Sequence, residues 1–118
     1  MKLCMIGTGY VGLVSGACFS DIGNDVICVD KNPEIVKKLK NGNIPIYEPG
    51  LTEIVKKNVK ANRLNFTNNL DNAVKKSQVI FICVGTPTKK GSNAADLTQI
   101  YNVAKKIRNS INNFKIII

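Results

Sequence analysis

Three glycines and one acid are the residues of this chain best placed to do chemistry. Gly7, Gly9 and Gly12 follow the apolar run Leu3 to Ile6, and Asp30 closes a second apolar run 18 residues after Gly12. A strand, a glycine turn, a helix, a second strand and an acid, in that order, form a dinucleotide-binding fingerprint. Gly7 allows the tight turn off the strand. Gly9 lets the backbone approach a pyrophosphate, and Gly12 lets the helix lie close on the strand. The helix N-terminus offers free N–H groups and a partial positive charge to the phosphates. Tyr10 and Val11 stand in that first turn. Asp30 accepts hydrogen bonds from the adenosine ribose hydroxyls and repels a 2′-phosphate, so the spacing predicts NAD rather than NADP. Lys31, directly after it, is able to reach a phosphate.

A second group of polar and turn residues, Val84-Gly85-Thr86-Pro87-Thr88, ends the apolar strand Gln78 to Val84. Ligands bind at that edge of an open α/β sheet. The Thr86 hydroxyl is able to donate to a cofactor, and Pro87 stiffens the turn. The chain has no histidine, which excludes a catalytic or metal-binding one. Cys4, Cys18, Cys28 and Cys83 have no Cys-x-x-Cys spacing, and each reads as a buried free thiol. No residue here reads as a catalytic nucleophile, and no metal site is expected.

The elements that position these residues alternate. Leu3 to Ile6 reads as a central strand. Tyr10 to Asp21 reads as a helix with Val11, Val14, Cys18 and Ile22 inward, kept small on its sheet side by Gly16 and Ala17, and ended by Gly23-Asn24. Val26 to Val29 is a strand. Asn32-Pro33-Glu34 opens a helix with Ile35, Val36 and Leu39 inward. Ile44 to Gly50 is a stiff apolar loop in which Tyr47 and Glu48 either face a ligand or pack. Leu51, Ile54, Val55 and Val59 mark a helix. Leu64 to Thr67 is a strand and Asn69 to Lys76 a helix. After the polar loop Lys89 to Ala95, Asp96 caps a helix carrying Ile100, Val103, Ala104, Ile107 and Ile111. Phe114 to Ile118 starts a further buried strand, and a chain ending there reads as cut. The pattern predicts an α/β fold: a doubly wound, Rossmann-like parallel sheet of order 3-2-1-4-5, truncated at its last strand, in a single dinucleotide-binding domain over residues 1–118.

Bulk properties agree with a globular domain. Hydrophobic residues make up 44% and charged ones 21%, which argues against disorder. No apolar stretch is long enough to span a membrane. Lys2, an apolar run and Ser15-Gly16-Ala17-Cys18 superficially imitate a signal peptide, but glycines and a tyrosine interrupt the apolar region, so a cytoplasmic protein is expected. The net charge is +9. It comes from lysine pairs dispersed along the chain, without a basic run or interleaved aromatics. A solvated basic surface suited to anionic small ligands is expected, not nucleic-acid binding.

Three motifs together, Gly7 to Gly12 (Gly-Thr-Gly-Tyr-Val-Gly), Ile44 to Leu51 (Ile-Pro-Ile-Tyr-Glu-Pro-Gly-Leu) and Val84 to Thr88, resemble the N-terminal domain of the UDP-glucose/GDP-mannose dehydrogenase family over the whole chain. The resemblance implies oxidation of UDP-glucose to UDP-glucuronate with two NAD, in service of polysaccharide biosynthesis, by an enzyme that is a homodimer at full length. It implies that Gly7, Gly9, Tyr10, Val11 and Gly12 hold the pyrophosphate and Asp30 the ribose. Val84, Gly85, Thr86 and Pro87 would flank the nicotinamide side. Members commonly carry Lys or Arg five residues after the ribose acid. Ile35 stands there in this chain, which implies weaker NAD binding. The family's catalytic cysteine and its helpers lie beyond residue 118, so the chain alone is expected to be inactive. The alternatives are a dehydrogenase of another nucleotide sugar, such as UDP-N-acetylmannosamine or GDP-mannose, and a stand-alone NAD-binding module.

Overall fold

The computed structural model describes residues 1–118. Its elements run β1 (Lys2–Ile6), α1 (Tyr10–Asp21), β2 (Asp25–Val29), α2 (Pro33–Lys40), α3 (Leu51–Lys60), β3 (Leu64–Thr67), α4 (Leu70–Lys76), β4 (Val79–Ile82), α5 (Thr98–Ser110) and β5 (Ile116–Ile117). The strands form one sheet in the order β3-β2-β1-β4-β5, with every pairing parallel. The expected order is therefore the observed one. β1 is central, with Met5 paired to Cys28 on one side and to Phe81 on the other.

Alternation along β1 divides the interior into two cores. Leu3 and Met5 face one side of the sheet, where Leu13, Ala17, Leu39, Val55 and Phe66 pack. Cys4 and Ile6 face the other, with Ala73, Val74, Ile80 and Ile107. The first core, under α1, α2 and α3, is the larger. Each fully buried aliphatic side chain contributes about 1.5–3 kcal/mol, so this side dominates stability.

Local chemistry explains the helix ends. The Asn32 side chain accepts from the Glu34 N–H at 3.0 Å, with Pro33 in the first turn of α2. Asn69 does the same for α4 through the Asn72 N–H. Asp96 serves α5 from one residue before its N-cap, accepting from the Thr98 N–H at 2.9 Å.

Three expectations are corrected. The inward face of α1 is Gly12, Leu13, Gly16, Ala17 and Ser20, while Val11, Cys18 and Ile22 are exposed. The cause is close packing: a Cβ on Gly16 would lie 2.7 Å from the Cys28 Sγ, so only small residues fit beneath the helix. Cys18 is therefore an exposed thiol and Cys83 only half-buried, whereas Cys4 and Cys28 are buried as expected. β4 is shorter than the run Gln78 to Val84, and β5 is an edge strand whose Ile116 and Ile117 are about half exposed.

α1 and α3 are joined by one polar network. The Asp21 carboxylate accepts from Lys57 Nζ at 2.7 Å and from Asn58 Nδ2 at 2.9 Å. Asn58 is wholly buried, and its Oδ1 accepts from Arg63 Nε at 3.1 Å. These donors hold the Asp21 carboxyl below its ordinary value of 3.8. A depressed folded-state value stabilises the fold above the unfolded value and is lost as pH falls through the folded one. Asp21→Asn is expected to melt below the unsubstituted protein at pH 7. In thermal melts across pH, that gap closes as the pH drops below 3.8.

Candidate dinucleotide-binding site

The turn Gly7-Thr8-Gly9 leaves the C-terminal end of β1, at the point where the sheet reverses its winding between β1 and β4. Gly7 has φ +109° and donates its N–H to the Val29 carbonyl at 2.8 Å. Only glycine adopts that conformation without strain. A Cβ there would also lie 2.5 Å from the Cys83 carbonyl oxygen.

Helix α1 starts at Tyr10 with no side chain capping it. Its first N–H with a protein partner is that of Leu13, bound to the Gly9 carbonyl at 2.9 Å. The N–H groups of Tyr10, Val11 and Gly12 are left open. Such a terminus binds anions through its free donors and its dipole. A Cβ on Gly9 would meet nothing within 4 Å, so the space in front of this terminus is clear. Gly12 is the opposite case: a Cβ there would stand 1.9 Å from the Gly7 carbonyl oxygen and 3.1 Å from the Cys83 Cβ.

Asp30 follows β2 beside the turn. Its Oδ2 accepts from the Thr8 hydroxyl and its Oδ1 from the Asn32 N–H at 2.9 Å. The turn, Asp30 and the end of β4 surround a cleft of about 340 Å³. Gly7, Gly9, Asp30, Val84 and Gly85 line it, as do Thr8, Lys31 and Cys83. Burial raises the Cys83 thiol, which keeps it protonated and a weak nucleophile.

Other expected site residues stand apart from this lining. Gly12 lies beneath the turn. Tyr10 and Val11 project from the first turn of α1 and are exposed, and Thr86 and Pro87 are exposed beyond the cleft. The Tyr10 hydroxyl donates to Glu48 Oε2 at 3.0 Å, a bond that raises the phenol above its ordinary value. Glu48 thus ties the loop Ile44 to Gly50 to α1, while Tyr47 points to solvent at 93% exposure.

The far wall of the cleft was not anticipated. Gln99, Asn102, Val103 and Lys106 of α5 line it, with Asn68 and Leu70 below. The available signal was a polar stripe at positions 99, 102 and 106, which has helical spacing beside the apolar Val103 and Ile107.

The model of the UDP-glucose/GDP-mannose dehydrogenase family, NAD binding domain, matches residues 1–118. The chain belongs to this family, as its NAD-binding domain. A UDP-glucose 6-dehydrogenase of Rhizobium meliloti is 51% identical over all 118 residues, which are 27% of its length. UDP-glucose 6-dehydrogenase TuaD of Bacillus subtilis is 51% identical over 99% of the chain and 25% of its own length. A GDP-mannose dehydrogenase of Pseudomonas aeruginosa, solved as a ternary complex, superposes with a TM-score of 0.86 at 39% identity, covering 91% of this chain and 24% of that one. The chain spans about a quarter of the length of the relatives it matches.

For an NAD-binding domain the geometry fits: open N–H groups, cleared space at Gly9 and a carboxylate at the end of β2 accommodate a pyrophosphate and a ribose. Gly9 and Gly12 separate ligand space from packing. Gly9→Ala is expected to keep the wild-type melting temperature and lose at least tenfold in NAD affinity, about 1.4 kcal/mol. Gly12→Ala is expected to lower stability by about 1–3 kcal/mol or more through overpacking as well as weakening NAD. Thermal melts beside calorimetric titration distinguish the two.

Proposed function

We propose that this domain holds NAD for a UDP-glucose 6-dehydrogenase that oxidises UDP-glucose to UDP-glucuronate, working as a cytoplasmic homodimer. The observation that carries the cofactor part is the Asp30 carboxylate at the end of β2, facing the same cleft as the glycine turn. The substrate part rests on the two relatives at 51% identity, both UDP-glucose 6-dehydrogenases. Bound NAD supplies a nicotinamide that accepts a hydride from the sugar alcohol. This chain's own residues bind and orient. The N–H groups of α1 receive the pyrophosphate and Asp30 receives the adenosine ribose. Val84, Gly85, Thr86 and Pro87 flank the nicotinamide. Lys31 and Lys106 line the cleft and favour an anionic ligand there. The chain spans about a quarter of the length of these relatives, and the 118 residues alone are expected to bind NAD without turning over UDP-glucose.

A second reading, a dehydrogenase for another nucleotide sugar, is favoured by the 39% identity to the GDP-mannose enzyme. Calorimetry on the chain is expected to show NAD bound more tightly than NADP, and Asp30→Ala is expected to weaken NAD by roughly tenfold or more, the loss of charge-assisted hydrogen bonds. Equal affinity for the two dinucleotides would sink the Asp30 assignment. Reading the source DNA past codon 118 tests the enzyme part: an in-frame continuation with a cysteine nucleophile supports it, and a stop with no such frame overturns it. On the longer product, a panel of UDP-glucose, UDP-N-acetylmannosamine and GDP-mannose is expected to give turnover with UDP-glucose. Preference for another sugar would establish the second reading.

A further inference from the structure

Thr8 stands between the two glycines of the turn, and the glycine pattern assigns it no task. The residue is 6% exposed, and its hydroxyl donates to Asp30 Oδ2 at 2.5 Å across 22 residues of sequence. The second donor to Asp30 is the Asn32 N–H, on Oδ1 at 2.9 Å. A carboxylate carries about four lone-pair sites, two on each oxygen. One site on each oxygen is therefore taken by the protein, and one on each remains.

Two free acceptor sites, one per oxygen of a fixed carboxylate, match the two donors of a vicinal diol. A 2′-phosphate replaces one of those donors with negative charge. We propose that Thr8 is a positioning residue: it locks the Asp30 carboxylate in the orientation that accepts a free ribose 2′,3′-diol, and so sets the preference for NAD over NADP. The inference rests on the reading that Asp30 receives the adenosine ribose. Lys31 shows why a lock matters. It lines the same cleft directly after Asp30. A carboxylate free to swing aside would leave that ammonium available to a 2′-phosphate.

The test is calorimetric titration of NAD and NADP into the 118-residue chain and its Thr8→Val and Thr8→Ser variants, with a thermal melt of each. Wild type is expected to bind NAD preferentially. Thr8→Val keeps the volume and removes the hydroxyl; it is expected to weaken NAD by about tenfold, within the worth of a hydrogen bond to a charged group, and to narrow the NAD/NADP ratio by a similar factor. Thr8→Ser keeps the hydroxyl and is expected to keep a clear preference for NAD. In an Asp30→Ala background, Thr8→Val leaves the ratio unchanged, because Thr8 acts through that carboxylate. A folded Thr8→Val with the wild-type ratio overturns the proposal. So does a Thr8→Ser that loses the ratio, which also decides the matter should Thr8→Val fail to fold. Wild type that binds no NAD overturns the ribose reading itself and is distinguished from both by appearing before any substitution.

Discussion

Helix α1 lies so close to the end of β1 that no side chain fits between Gly12 and the Gly7 carbonyl. The same approach recurs one turn along the helix, where Gly16 sits over Cys28. Much of the site depends on this contact. It sets the start of α1, with the unpartnered N–H groups of Tyr10, Val11 and Gly12, directly after the turn. It forces Gly7 into a positive φ and anchors its N–H on Val29. It also carries Thr8 across to Asp30. Packing at this density allows little relaxation, so the turn, the helix terminus and Asp30 behave as one rigid constellation.

The two sides of the sheet are unequal, and the inequality suits a binding domain. The side under α1, α2 and α3 holds the larger core. On the other side, α5 buries only Ile107 and Ser110 fully. Its remaining inward surface is free to be polar, and Gln99, Asn102 and Lys106 become a wall of the cleft. Lys31 and Lys106 place two of the chain's dispersed cations at this cleft.

The loop from Ile44 to Gly50 has a structural role that its composition left open. Glu48 receives the Tyr10 hydroxyl, and Ile44 and Ile46 pack on the larger core. The apolar residues anchor the loop and the acid ties it to the start of α1, while Tyr47 stays in solvent. The long connection between β2 and β3 is thereby fastened at the same helix terminus that faces the cleft.

Element order, strand order and the glycine-acid fingerprint were determined by the sequence alone. Fully buried parallel strands must read as apolar runs. Gly, Asn and Pro punctuate helix ends through backbone geometry that is local, and right-handed crossovers leave few orders open. Resemblance to the family was legible for the same reason, in short contiguous motifs. Only the tertiary structure decided which face of α1 turns inward, and there the apolar stripe misled, because distance from the sheet selects residue size over hydrophobicity. It alone placed Cys18 in solvent, made α5 a wall and brought the Thr8 hydroxyl to Asp30. These are contacts between residues far apart in the chain. They follow from how closely layers pack, and no periodicity within a single segment encodes that distance.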